Sequence, residues 1–226
     1  MEEDYTLLIY GKSGTGKSSS LRTLPMEKVY FINIEGKPIV FPHKKLFKHV
    51  KPKTLVEVQQ AVKEAVESDS VDIVVVDSIT MLGEVMAYTE LVKNTPKRTA
   101  NGSSDTRGGW MDLRDWMVGL IEFCKKAEKT FIFIGLEMDI LNEREAVVYT
   151  TPKMVGSLKE TLPSHFTVVL RSVVRDVNDE LKYEFQTNRT IKDINTTCKS
   201  PMNMLDLYEP NDMNHIIEKM RKFYNE

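Results

Sequence analysis

The stretch that decides the fold is Tyr5-Thr6-Leu7-Leu8-Ile9-Tyr10-Gly11-Lys12-Ser13-Gly14-Thr15-Gly16-Lys17-Ser18. Residues 5–10 are almost wholly apolar and read as a short buried strand that stops at Gly11. Residues 11–18 then satisfy the eight-position phosphate-loop pattern in full: Gly11, four residues, Gly16, Lys17 and Ser18. Glycines let such a backbone curl until its N–H groups converge on phosphate oxygens, and a helix starting near Lys17 adds its amino-terminal field. In this pattern Lys17 reaches the β- and γ-phosphates and the Ser18 hydroxyl ligates Mg²⁺. The expected nucleotide-binding residues are therefore Gly11, Lys12, Ser13, Gly14, Thr15, Gly16, Lys17, Ser18 and the adjoining Ser19, with ATP and Mg²⁺ as ligands. A chance glycine-rich turn is the competing reading; it leaves the strand before and the helix-compatible segment after unexplained.

Outward from this loop, strand and helix alternate. Residues 18–24 make a short helix closed by Pro25, and residues 29–34 a second strand with Glu35-Gly36 at its end. A lysine-rich stretch with two prolines fills 37–53. Thr54 and Glu57 form a capping box ahead of Leu55, Val58, Val62, Ala65 and Val66 at helical spacing. Residues 71–76 are a β-branched strand ending in Asp77-Ser78, and 79–92 read as helix. Residues 93–109 are polar and read as a long exposed loop, 110–127 return to helix, and 130–134 form a fourth apolar strand. Strands too apolar to have a wet face imply a mostly parallel sheet covered on both sides, an α/β fold. After Glu137 the style changes: 146–149, 166–174 and 181–187 read as hairpin or edge strands. Residues 213–224 carry Met213, Ile216, Ile217, Met220 and Phe223 on one helical stripe, suited to the body or to a neighbouring subunit. The expected division is a nucleotide-binding domain over 1–195 and a carboxy-terminal extension over 196–226.

Three carboxylates complete the expected site. Asp77 ends a buried strand, where open α/β sheets place ligands, and is the expected Mg²⁺ partner of Ser18. Glu35 ends the neighbouring strand on the same rim and is the candidate for positioning water, against the alternative of a surface turn carboxylate. Glu137 follows the fourth strand and is the candidate for sensing the γ-phosphate, against an acidic turn. Lys17, Glu35 and Glu137 are thus the catalytic candidates.

Composition narrows the rest. A net charge of -2 does not announce a nucleic-acid binder, although a local basic face is compatible with it. Cys124 and Cys198 have no paired spacing, which argues against a disulfide or a metal site, and Cys124, in an apolar helical pattern, is expected to be a buried thiol. Apolar runs stop far short of the roughly 20 residues a membrane span needs, and Met1-Glu2-Glu3-Asp4 is no targeting signal; a cytoplasmic protein without membrane contact is expected.

The phosphate loop, Phe31-Ile32-Asn33-Ile34-Glu35, Val74-Val75-Val76-Asp77-Ser78 and Phe131-Ile132-Phe133-Ile134 together resemble the RecA-like ATPases. More closely, the chain looks like the small phage-encoded RecA-like NTP-binding proteins linked to single-strand annealing recombination. The resemblance covers roughly residues 5–195. It implies that Glu35 activates water and that Asp77-Ser78 is the Mg²⁺-side motif. It implies a basic element reaching a neighbour's phosphates, for which Lys192, then Arg189, is the match, although Ile194 stands where a further basic residue is expected. The family's polar residue at the end of the fourth strand is not matched, because the strand runs on through Gly135-Leu136 to Glu137. Before Tyr5 there is no room for a recombinase polymerisation segment, so a ring, small oligomer or accessory ATPase is implied rather than a filament.

Single-stranded DNA is the implied partner, through Lys93, Lys97, Arg98 and Arg107 in the long loop, with phage recombination or replication proteins as possible associates. A second basic region, Lys37, Lys44, Lys45, Lys48, Lys51 and Lys53 with Phe41 and Phe47 between, has the composition of a phosphate-and-base surface or of ordinary solvated loop. Two other functions fit the loop motif. One is a nucleotide-gated assembly or adaptor with little turnover. The other is a nucleotide kinase, for which Arg107 and Arg114 supply only a thin version of a lid.

Overall fold

Alternating side chains on a central strand need cover on both faces, and the sheet is built around that demand. The computed structural model describes residues 5–94, 97–98, 101–102 and 104–225, with Lys97, Arg98 and 104–106 described by backbone alone. Its strands are β1 (Thr6–Gly11), β2 (Val29–Asn33), β3 (Lys48–Val50), β4 (Ile73–Asp77), β5 (Lys97–Arg98), β6 (Ser104–Asp105), β7 (Thr130–Leu141), β8 (Val147–Pro152), β9 (Val168–Val177), β10 (Glu180–Gln186) and β11 (Tyr208–Pro210). Helices are α1 (Leu55–Glu67), α2 (Ile79–Met81) running into a π-helix over Leu82–Lys93, α3 (Thr106–Lys126), α4 (Leu158–Thr161) and α5 (Met213–Asn225). The segment after the phosphate loop, Ser18–Thr23, is a 3₁₀ helix.

The main sheet runs β11-β10-β9-β1-β7-β4-β2-β3, with β8 paired to β7. From β9 to β3 every neighbouring pair is parallel. β8, β10 and β11 add antiparallel partners. It is a mostly parallel sheet flanked by helices, with carboxy-terminal strands and a terminal helix, the architecture expected from the sequence. Leu8, Tyr10, Tyr30, Val74, Val76, Phe131 and Phe133 face one core with α1, the π-helix and α3. Leu7, Ile9, Phe31, Val75, Ile132 and Leu170 face the other, with Leu21 of the 3₁₀ helix and Met213, Ile216, Ile217 and Met220 of α5.

Local signals account for the element ends. Thr54 accepts from the Glu57 N–H at 3.2 Å, while Glu57 Oε2 accepts from the Lys53 N–H at 2.6 Å, closing the start of α1. Asn178 and Asp179, with φ of 59° and 62°, turn β9 into β10, and these residue types tolerate the left-handed conformation that two-residue hairpins demand.

The structure departs from the sequence reading in several places. α3 begins at Thr106, before the expected Trp110, so Arg107 stands on a helix rather than in a loop. Gly108-Gly109 masks this start, yet glycine is what packing requires: a Cβ on Gly109 would lie 2.8 Å from the Leu91 carbonyl. β7 continues past Ile134 to Leu141, because β8 supplies a hairpin partner for its second half. β9 forms the hairpin with β10 that was expected, but it also pairs with β1 and so lies inside the sheet rather than at an edge. The lysine-rich stretch contains the edge strand β3, and Phe41 is buried in the core, edge-to-face with Phe31 at 6.1 Å. The segment expected as an extension adds β11 to the same sheet and α5 to the same core. Cys124 is buried, as read from the sequence, and so is Cys198. Among the described residues no helix is long and apolar enough to cross a membrane.

If α5 is part of this core, Ile217→Ala lowers unfolding stability by about 2–5 kcal/mol. Ile191→Ser, at a side chain 97% exposed, stays within about 0.5 kcal/mol of the parent. Urea denaturation followed by circular dichroism measures both.

Candidate functional site

The loop after β1 is closed by its own residues. Gly14 and Gly16 adopt φ of 82° and 92°, the left-handed conformation that glycine takes without penalty. The Lys17 ammonium donates to the carbonyls of Gly11 at 2.9 Å and Lys12 at 2.7 Å, and Thr15 Oγ1 donates to the Lys12 carbonyl at 2.9 Å. The Ser172 hydroxyl of β9 donates to the Thr15 carbonyl at 2.7 Å. Gly11 approaches β9 so closely that a Cβ there would lie 2.5 Å from the Ser172 carbonyl oxygen.

Parallel pairing brings the other candidates to this rim. Asn33 of β2 is level with Asp77 of β4, which is level with Ile134 of β7. The Ser18 hydroxyl donates to Asp77 Oδ2 at 3.0 Å across 59 residues of chain. Ser78 donates to Glu35 Oε1 at 3.3 Å, and Lys37 pairs with Glu35 Oε2 at 2.8 Å. The Asp77–Ser78 peptide is cis. Asn33, buried at the end of β2, accepts from the Gly36 N–H and donates to the Lys37 carbonyl, each at 2.8 Å, which shapes the turn carrying Glu35 and Lys37.

Burial pushes the Asp77 carboxyl up to about 6, partly opposed by the Ser18 hydrogen bond, with Glu35 raising it further. Burial pulls the Lys17 ammonium below its ordinary value, opposed by Asp77 and Glu35. Lys37 is raised, chiefly by its hydrogen bond to Glu35. The cleft is thus short of positive charge at Asp77 and short of negative charge at Lys17. A cation at the first and a phosphate at the second relieve both.

The cleft encloses about 880 Å³ and is lined by Ser13, Gly14, Gly16, Lys17, Ser18 and Ser19 on one side and Glu35, Lys37, Asp77 and Ser78 on another. Ser18 and Asp77 are the residues that can hold a divalent cation. One hydroxyl and one carboxylate suit Mg²⁺, which keeps several waters and takes its remaining ligands from phosphates. A third wall is formed by Tyr183 of β10 and by Pro210, Asn211 and Asp212 between β11 and α5. Arg22 donates to the carbonyls of Ser19 at 2.8 Å and Asn211 at 3.0 Å, and Thr23 donates to Asp212 at 2.7 Å, tying the 3₁₀ helix to this wall.

Glu137 stands elsewhere. It is not among the residues lining the cleft, although its charge acts on Lys17; its side chain is nearly buried, and both its oxygens accept from Arg171 at 2.8 and 2.9 Å. Its carboxylate is held by Arg171 of β9, while Ile134, Gly135 and Leu136 of the same strand line the cleft. Lys192 is exposed outside the cleft of its own chain, as is Arg189. Lys93 and Arg107 are exposed; the side chains of Lys97 and Arg98 lie outside the described part of the molecule. Of the lysine-rich stretch, Lys37 reaches the cleft, while Lys48 pairs with Glu64. Sequence reading missed Asn33, Arg22, Tyr183 and Asn211. A polar residue in the otherwise apolar 29–34 run was the one available sign of Asn33, and nothing local marked Tyr183 or Asn211.

An acidic strand tip beside a glycine-lined, lysine-bearing phosphate loop is how P-loop NTPases are arranged. The family model for the AAA domain matches residues 3–201, and the chain belongs to that family. No curated protein matches it in sequence. Among solved structures it is similar to a KaiC-like protein from the hyperthermophilic archaeon Pyrococcus horikoshii OT3, at 16% identity over 81% of this chain and 77% of that one, TM-score 0.49. It is also similar to the RadB recombinase, at 16% identity over 82% and 81% of the two chains, TM-score 0.48.

The raised Asp77 carboxyl sets a pH dependence in the metal-free protein. A folded-state value above the unfolded one means the folded state holds more protons between about pH 4 and 6, so stability falls as pH rises through that window. Asp77→Asn removes this penalty. It should stabilise the protein by about 1–3 kcal/mol at pH 7.5 and by much less at pH 4, read from urea unfolding at both pH values.

Proposed function

We propose that the chain binds ATP with Mg²⁺ in this cleft and hydrolyses it to ADP and phosphate. The observation that carries this reading is the convergence of Lys17, Ser18, Asp77 and Glu35 from three parallel strand ends within one cleft. Bound Mg²⁺, held by Ser18 and Asp77, supplies charge neutralisation on the phosphate oxygens. Lys17 exchanges its loop carbonyls for phosphate oxygens and stabilises the charge that moves onto them during transfer. Glu35 orients a water and accepts its proton as the new oxygen–phosphorus bond forms and the bond to ADP breaks. Lys37 and Ser78 hold the two Glu35 oxygens, and Glu35 must release one of them to engage water.

We further propose that turnover is coupled to single-stranded DNA within a homo-oligomer serving phage recombination or replication. Support comes from the sequence resemblance and from the exposed Lys93 and Arg107, whose charges suit backbone phosphates. Lys192, exposed and outside its own cleft, suits a contact with a neighbouring subunit's nucleotide. The engagement of both Glu35 oxygens favours a second reading, a nucleotide-gated assembly with little turnover. The kinase reading gains nothing, since neither Arg107 nor Arg114 lines the cleft.

Steady-state phosphate release with and without single-stranded DNA separates these readings. Lys17→Ala should abolish release; Glu35→Gln should keep ATP binding within a few-fold and lower turnover by about 10²-fold or more. DNA stimulation that disappears in Lys17→Ala supports the coupled ATPase. ATP-dependent assembly with negligible release supports the gated assembly, and an unchanged rate in Glu35→Gln removes that residue from the chemistry.

A further inference from the structure

The third wall of the cleft has no part in the phosphate chemistry, yet it is built from unusual pieces. Tyr183 is 50% exposed, an aromatic ring at the cleft mouth, with its edge 3.2 Å from where a Cβ on Gly16 would stand. The Asn211 carboxamide lies 3.1 Å from the same point. Asn211 is only 7% exposed, and its Nδ2 has no hydrogen-bond partner. Its Oδ1 is 3.4 Å from Arg22 Nη1, so the carbonyl half of the amide is occupied and the donor half is not. A buried donor without an acceptor is costly and calls for an explanation. Neighbouring Asp212 accepts from Thr23 and from the His215 N–H at the start of α5, both at Oδ1, and takes no hydrogen bond from Asn211 Nδ2.

The cleft is polarised. Glu35, Lys37, Asp77 and Ser78 crowd one end, where water activation and Mg²⁺ require the terminal phosphate to be. A chain of phosphates starting there and running along the loop leads toward Gly16, Ser19 and the opposite wall. A volume of about 880 Å³ accommodates a whole nucleotide rather than its phosphates alone.

We propose that Tyr183 and Asn211 form the nucleobase subsite of this cleft and select a purine. This rests on the nucleotide-binding reading above. The Tyr183 ring stacks on the base, and the Asn211 amide rotates its free N–H toward N7, the imidazole-ring acceptor that purines have and pyrimidines lack. Arg22 holds Asn211 by its main-chain and side-chain oxygens and acts as a positioning residue. The selectivity of the site thus comes from the β10 strand and the β11–α5 turn, more than 160 residues beyond the phosphate loop.

Isothermal titration of the full chain with Mg²⁺ and three probes, ADP, CDP and inorganic tripolyphosphate, tests this. The parent should bind ADP more tightly than CDP. Tyr183→Ala should weaken ADP by about tenfold, as expected for one lost stacking contact, and leave tripolyphosphate within about twofold; Tyr183→Phe should retain ADP affinity. Asn211→Ala should narrow the preference for ADP over CDP. Equal loss of ADP and tripolyphosphate in Tyr183→Ala would mean a distorted loop and overturn the subsite, as would unchanged ADP affinity. A parent that binds tripolyphosphate but shows no preference for ADP defeats this proposal alone. A parent that binds none of the three probes defeats the nucleotide reading, and the subsite with it.

Discussion

The close contact between the end of β1 and β9 governs what the rest of the molecule can do. Gly11 lies against the Ser172 carbonyl with no room for a Cβ, and the Ser172 hydroxyl ties down Thr15. That contact sets where the phosphate loop leaves the sheet. The loop in turn carries Ser18 to Asp77, so the metal-side pair depends on backbone packing between strands that are far apart in sequence. Full burial of β1, on both faces and between two parallel neighbours, makes the arrangement rigid: displacing it would expose Leu7, Leu8, Ile9 and Tyr10 together.

Electrostatics then prepares the cleft for a charged guest. Asp77 is an acid made weaker by burial, and Lys17 is a base made weaker by burial, although each is the largest favourable neighbour of the other among charged groups around Lys17. Neither is comfortable in the folded chain. On the proposed reading a magnesium-bearing phosphate would correct both at once, so that an arrangement that costs stability would serve binding. Glu35 differs: Lys37 and Ser78 already satisfy it, on a turn that Asn33 holds in shape.

The carboxy-terminal segment is as much a part of the cleft as the loop motif. Arg22 and Thr23 bridge to Asn211 and Asp212, and α5 covers the same apolar face that carries the 3₁₀ helix. Asp212 caps α5 while accepting from Thr23, so one side chain fixes both the helix start and the distance between the two walls. The amphipathic stripe of α5 was legible from Met213, Ile216, Ile217 and Met220. Its partner was not, because a stripe says that a face is buried and not against what.

The sequence by itself determined the phosphate loop, the four apolar strands of the parallel core, the rim positions of Glu35 and Asp77, and the membership of Ser18 in the site. Each is a short-range pattern: glycine spacing, β-branched runs, a carboxylate at a strand end. Only the tertiary structure decided that β9 lies beside β1, that Glu137 belongs to Arg171, and that Tyr183 and Asn211 wall the nucleotide cleft. The physical reason is common to all three. Strand order and side-chain partnership are fixed by which surfaces pack best once the chain is collapsed, and that free energy is spread over dozens of contacts that leave no local mark on the sequence.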